Sequence, residues 1–169
     1  WGVCVLNGAA QFHHSSVQYP PVTHRCLGMG ARAAEGTDMA VVARYMKEKN
    51  GLDYAITTDM DRLVAHLKQG YKAIINVSGG GKMLFSNSGH YVLAAGIDKN
   101  GNLIILDPYW YDGKFLDAAR RKYTRVKNGR EVYVRPGDLK GDVLSLWLFT
   151  PKRMCACRIP HMIYITASL

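Results

Sequence analysis

The chain has 169 residues, 48% of them hydrophobic and 21% charged, which suits one compact domain and excludes wholesale disorder, a collagen-like repeat and a low-complexity stalk. Its 22 Lys and Arg against 13 Asp and Glu give a net charge of +9. The longest apolar run, 143–149, is broken by Ser145 and falls far short of the roughly 20 residues that cross a bilayer, so no membrane span is expected.

The chain opens at Trp1 with neither an initiator Met nor a charged-then-apolar leader, which reads as a fragment or a processed form. Residues 1–35 carry little periodicity. His13-His14-Ser15-Ser16 and Tyr19-Pro20-Pro21 interrupt any regular pattern and predict loops. At Gly36-Thr37-Asp38 the signal changes. Thr37 or Asp38 caps a helix that puts Met39, Val42, Ala43 and Met46 on one face and stops near Asn50-Gly51. A second helix follows Thr58, whose side chain pairs with Asp61 in a variant capping box; it carries Leu63, Val64 and Leu67 and ends at Gly70.

From Lys72 the pattern turns to strands. Residues 73–77 are short and β-rich, and Ser78-Gly79-Gly80-Gly81 follows as a loop. Two apolar runs, 90–97 and 103–106, flank Asp98-Lys99-Asn100-Gly101 and read as a hairpin. Residues 115–126 read as a basic helix, and strands are expected at 131–134 and 144–150 around a Pro136-Gly137 turn. Helices first and strands later predict an α+β fold. Residues 152–169 have no clear place in this order.

Several constellations bear on chemistry. Between residues 114 and 135, Lys114, Arg120, Arg121, Lys122, Arg125, Lys127, Arg130 and Arg135 face only Asp117 and Glu131. Such a stretch attracts anionic polymers, but it reads first as a solvated face. With only Tyr123 and Tyr133 among the cations it lacks the aromatic interleaving of a single-strand binder, and no nucleic-acid partner is expected. Gly81-Lys82 is preceded five residues back by Asn76 and followed by Met83, so the P-loop frame is missing. The glycines read instead as a flexible loop, placed ahead of His90 where it can rim a cleft. Cys155, Cys157 and His161 offer three candidate ligands where structural zinc takes four in paired spacing. Neither metal nor organic cofactor is expected. His13, His14, His24, His66 and His161 show no orienting partner and read as surface or structural residues.

The sharper signal is His90 at the head of an apolar strand with Asp107 closing the next. If 98–101 form a four-residue loop, Ile97 pairs with Asn102, Asp107 falls opposite Val92, and Asp107 becomes a diagonal neighbour of His90, roughly 7–8 Å away at the backbone. A two-residue loop would place Asp107 opposite Ala94, too distant for the pair without a bulge. A carboxylate on one imidazole nitrogen fixes the tautomer and leaves the other nitrogen to exchange a proton with a nucleophile. The plainer alternative is a hydrogen-bonded strand histidine beside an Asp-Pro turn.

The string from Gly89 to Pro108, G-H-Y-V-L-A-A-G-I-D-K-N-G-N-L-I-I-L-D-P, resembles the His–Asp hairpin of the papain-like cysteine peptidases. The likeness is to the bacterial C-thirty-nine-like group related to bacteriocin-leader-processing peptidases. It extends over residues 36–150 through Gly36-Thr37-Asp38, strand 72–77 and strand 144–150. The resemblance implies a papain-like α+β fold, an N-terminal helical part packed on a twisted antiparallel sheet, filling residues 1–150 as one domain with 1–35 poorly matched and 151–169 as a tail. It implies hydrolysis of peptide bonds by a Cys-His-Asp triad in which His90 is the catalytic histidine and Asp107 its orienting acid. It also implies a nucleophile early in the domain, and Cys4 is the choice. Cys26 is the rival, lying too near Gly36 for the family's spacing. Leu6-Asn7 stands where the family carries Pro and Thr or Ala, and an oxyanion-hole Gln would fall upstream of Trp1. A peptide or protein substrate, a monomer, and a secreted or cell-surface bacterial setting follow from the same likeness. The alternative is an inactive papain-like domain that binds peptide or cell-wall material, aided by the basic stretch.

Overall fold

The computed structural model describes residues 31–33 and 36–152. Strands β1 (Arg32–Ala33) and β2 (Gly36–Thr37) pair antiparallel. Helix α1 (Met39–Asn50) follows; the Asp38 carboxylate accepts from the backbone N–H groups of Ala40 and Val41, and Gly51 closes the helix at φ 63°. Met39, Val42, Ala43 and Met46 form its buried face, the stripe expected from their spacing. Then come β3 (Leu52–Thr57), α2 (Met60–Lys68), β4 (Lys72–Val77), β5 (His90–Ile97) and β6 (Leu103–Leu106). The short helix α3 (Ala118–Arg121), β7 (Thr124–Lys127), β8 (Glu131–Val134), α4 (Pro136–Leu139), a 3₁₀ turn (Lys140–Asp142) and β9 (Val143–Pro151) complete the described chain.

Seven strands form one sheet in the order β3-β9-β4-β5-β6-β8-β7, and every pairing in it is antiparallel. Alternation along the strands divides the core in two. Ala73, Ile75, Val77, Val92, Ala94, Leu103, Ile105, Val132, Val134, Leu146 and Leu148 face one way, where α2 covers them with Met60, Leu63 and Leu67. Ile74, Leu93, Trp147 and Phe149 face the other way, against Met39, Val42, Ala43 and Met46 of α1. The two helices thus sit on opposite faces of the sheet. The α+β architecture, helices packed on an antiparallel sheet, is the one expected.

Three local expectations need correction, and one strand is an addition to them. The cap of α2 is Asp59, which accepts from the N–H groups of Asp61 and Arg62, so the start lies one residue beyond Thr58. Residues 115–126 do not form one helix: α3 keeps only 118–121, with no buried residue, and the chain enters β7 at Thr124, which is buried. Pro136-Gly137 opens the helical turn α4 instead of a reverse turn. Strand β3 is an element that the sequence pattern does not announce; it pairs along its whole length with β9, Leu52 opposite Pro151 and Thr57 opposite Leu146.

The hairpin at the centre of the sheet follows the expected register only after a bulge. At its tip Ile97 pairs with Leu103 and Gly96 with Ile104, one step from the pairing of Ile97 with Asn102. Ala95 is the extra residue, and beyond it Ala94 pairs with Ile105 and Leu93 with Leu106. The carbonyl of Ala95 accepts from Lys72 Nζ. Continuing that register puts Asp107 opposite Val92, the position the four-residue loop predicts. The tip register differs by one from the expected pairing, and the bulge restores it where the site lies.

Candidate active site

His90 begins β5 opposite Val77 of β4, on the same sheet face as Val92 and Ala94. Asp107 directly follows β6 and shares that face with Ile105. The diagonal closes: His90 Nε2 and Asp107 Oδ1 are 2.7 Å apart, with the two side chains 5% and 0% exposed. Asp107 is held from two more directions. Its Oδ1 also accepts from the N–H of Tyr109 at 2.9 Å, and its Oδ2 accepts from Lys114 Nζ at 2.6 Å. Burial pushes the Asp107 carboxyl toward protonation, but the hydrogen bonds from His90 and Lys114 outweigh it and hold the group below its ordinary value. At neutral pH it is a carboxylate. It can therefore accept Nε2–H and fix the imidazole tautomer, which sends proton exchange to Nδ1.

A cleft of about 350 Å³ opens beside this pair, lined by Ser86, Asn87, Ser88, His90, Pro108 and Tyr109. One wall is the turn after Asp107, where the Tyr109 ring stands edge-on to His90 at 6.3 Å and Tyr111 stands edge-on to Tyr109 at 5.8 Å. The other wall ends the Gly-rich loop, which is packed rather than loose. A Cβ on Gly79 would lie 2.3 Å from the Asn87 carbonyl oxygen, and one on Gly81 would lie 2.6 Å from the Gly141 carbonyl carbon. Glycine is required there for close approach, with no phosphate implied. Buried Asp142 accepts from the N–H groups of Met83 and Leu84 at 3.1 and 3.0 Å, while Leu84 and Phe85 plug into the core. The run of small polar residues at 86–88 is thereby set against His90.

Lys114 departs from the solvated basic face expected of its stretch. It is 3% exposed and paired with Asp107. Other cations of that stretch do reach the surface: Lys122, Arg125, Lys127 and Arg135 line a separate groove of about 430 Å³ with Asn102, Tyr123, Tyr133 and Asp138. That groove is larger than the cleft but lies toward the hairpin-tip end of β6 and holds no acid–base pair. His66 is structural, its Nε2 lying 3.1 Å from the carbonyl oxygens of Lys72 and Phe149.

Cys4, Cys26, Cys155, Cys157, His13, His14, His24 and His161 lie outside the described residues. Among the described residues no three His, Cys, Asp or Glu side chains cluster as a metal site would require, and no helix is long and apolar enough to cross a membrane.

A sequence model of the Peptidase_C39 like family matches residues 23–136. The chain belongs to that family. The matched segment holds His90, Asp107, Lys114 and Cys26 and begins after Cys4. Among solved structures, the peptidase domain of Streptococcus ComA, a bi-functional ABC transporter involved in a quorum-sensing pathway, is similar to it. The TM-score is 0.55 and the identity 17%, over 88% of this chain and 90% of that domain. At that identity the likeness is one of fold. The comparison with curated proteins returns no match.

Proposed function

We propose that this chain is a cysteine peptidase that hydrolyses peptide bonds, with Cys4 as nucleophile, His90 as general base and then acid, and Asp107 as the group that orients His90. The observation that carries this reading is the buried 2.7 Å contact between His90 Nε2 and Asp107 Oδ1 at the edge of a cleft, in a chain of a peptidase family. With Nε2–H donated to Asp107, Nδ1 takes the thiol proton. The thiolate attacks the scissile carbonyl carbon, and backbone N–H groups near the cysteine steady the oxyanion. His90 returns the proton to the leaving amine. Water then attacks the acyl-enzyme, its proton passing through the same ring, and frees the thiol. The substrate is a peptide or a protein segment that enters the cleft between Ser88 and Tyr109.

The second reading, an inactive domain that binds peptide or cell-wall material, draws on the cationic groove of Lys122, Arg125, Lys127 and Arg135. Alkylation by iodoacetamide from pH 4 to 9, followed cysteine by cysteine by mass spectrometry in wild type and His90→Ala, separates the two. Fast reaction of Cys4 below pH 7 that disappears in His90→Ala supports the triad. The same behaviour at Cys26 moves the nucleophile there. Cysteines that all titrate near the ordinary value of about 8.5 and ignore His90 overturn the peptidase reading in favour of the binding module.

A further inference from the structure

We propose that Lys114 is a positioning residue of the His90–Asp107 pair: its ammonium fixes the second oxygen of Asp107 and so keeps the first turned toward His90. This inference rests on the reading of His90 and Asp107 as the acid–base pair. Oδ1 serves His90 and the Tyr109 N–H, whereas Oδ2 serves Lys114. A carboxylate held at one oxygen can still swing about its Cβ–Cγ bond. Held at both, its plane is fixed.

The chain is built to return Lys114 to that place. It lies seven residues after Asp107, and Gly113 turns the backbone at φ 84° just before it. Its Nζ also donates to the Tyr109 carbonyl at 3.0 Å and sits 5.0 Å from the Tyr109 ring centroid. The same ammonium therefore ties the aromatic wall of the cleft to the carboxylate behind it. The side chains of Lys114 and Asp107 are 2% and 0% exposed. Burying two charges so completely costs much of what their attraction returns, so fold stability alone is a weak reason for the pair, and an apolar pair would serve it as well.

Lys114 also changes what Asp107 does electrically. With Lys114 charged and His90 neutral the trio carries no net charge. Asp107 then acts mainly as an orienting acceptor, because the neighbouring cation offsets the pull its charge exerts on an imidazolium. Among the described residues, charged or titratable groups face the trio from two elements. Tyr109 and Tyr111 come from the loop, and Arg120 of α3 donates from Nη1 to the Lys114 carbonyl at 3.3 Å.

The test is an NMR titration of the His90 ring in the full chain, for wild type, Lys114→Met and Lys114→Arg, with cysteine alkylation profiles alongside. Lys114→Met leaves a buried anion facing His90. The His90–Asp107 pair should then bind its proton about tenfold more tightly, a rise of about one unit in its midpoint. Lys114→Arg keeps the charge and should hold the midpoint near wild type. A midpoint unmoved in Lys114→Met, whatever happens to its melting temperature, would overturn the proposal. If Lys114→Met does not fold, wild type decides: the Lys114 Nζ nitrogen resonance should shift at the His90 midpoint, and a resonance that ignores it rejects the coupling. Both readouts are independent of turnover. A shifted midpoint in a chain with no reactive cysteine would sustain the role of Lys114 while the peptidase reading fell.

Discussion

At the residue scale, the centre of the molecule is a single carboxylate shared between a histidine, a lysine and a backbone N–H. The Asp107 side chain is fully buried, and His90, Lys114 and the Tyr109 N–H occupy its oxygens. Asp107→Asn keeps the shape and removes the charge. It leaves the Lys114 ammonium buried without a counter-ion, a change that typically costs about 3–5 kcal/mol. Urea unfolding at pH 7 should show a loss of that order in Asp107→Asn and much of it recovered in Asp107→Asn/Lys114→Met; a single variant within about 1 kcal/mol of wild type would show that the ion pair contributes little. The His90–Asp107 relation is legible in the sequence, because hairpin register converts a sequence separation into a spatial neighbour. Lys114 is not. A lysine in a run of cations reads the same whether it points to water or folds back on a carboxylate seven residues earlier, and only the turn at Gly113 distinguishes the two.

At the element scale, the hairpin supplies the acid–base pair and the segment between β4 and β5 supplies the facing wall. That segment is fastened by Asp142, 1% exposed, through the N–H groups of Met83 and Leu84. Asp142→Ala would strand both donors, each at a cost of about 1–3 kcal/mol where water cannot replace the carboxylate. Hydrogen exchange should accelerate by a factor of about ten or more at 83–88, ahead of any change at the hairpin amides of 92–94. Uniform acceleration across both would mean that Asp142 supports the whole fold and not this wall. Elements with their own periodicity, such as α1 and the hairpin, are readable from the sequence. Strand β3 is not, because its partner β9 lies about ninety residues later and its edge position leaves Ile56 53% exposed, which erases the alternation. The helix expected over 115–126 fails for a related reason. Ala118-Ala119-Arg120-Arg121 has helix propensity, but Leu116 is 71% exposed and Thr124 is 2% exposed, so no apolar stripe exists to sustain it and the sheet claims the chain from Thr124.

At the scale of the whole molecule, stability should fall in two steps as pH drops, and the steps belong to different groups. His66 on α2 reaches across to the paired residues Lys72 of β4 and Phe149 of β9, tying the helix to the sheet. Burial drives its pKa below the ordinary 6.5, and the hydrogen bonds to the two carbonyls only partly counter this. A folded-state value depressed below the unfolded one means that the unfolded chain binds more protons in the window between them, so stability rises with pH across that window. The contribution is complete above 6.5 and is lost as pH falls toward the folded value. Asp107 obeys the same sign in a lower window: its stabilisation is complete above its ordinary 3.8 and is lost as pH falls through the depressed folded value. Asp98, held down by Asn102, lies nearer the surface and adds to that acid step. Urea midpoints measured from pH 8 to pH 3 should therefore descend just below about 6.5, level out, and descend again below about 4. His66→Gln should remove the upper step and leave the lower one. An upper step that survives His66→Gln would assign it to another titrating group and show that the contact of His66 with the sheet is not what makes stability depend on pH there.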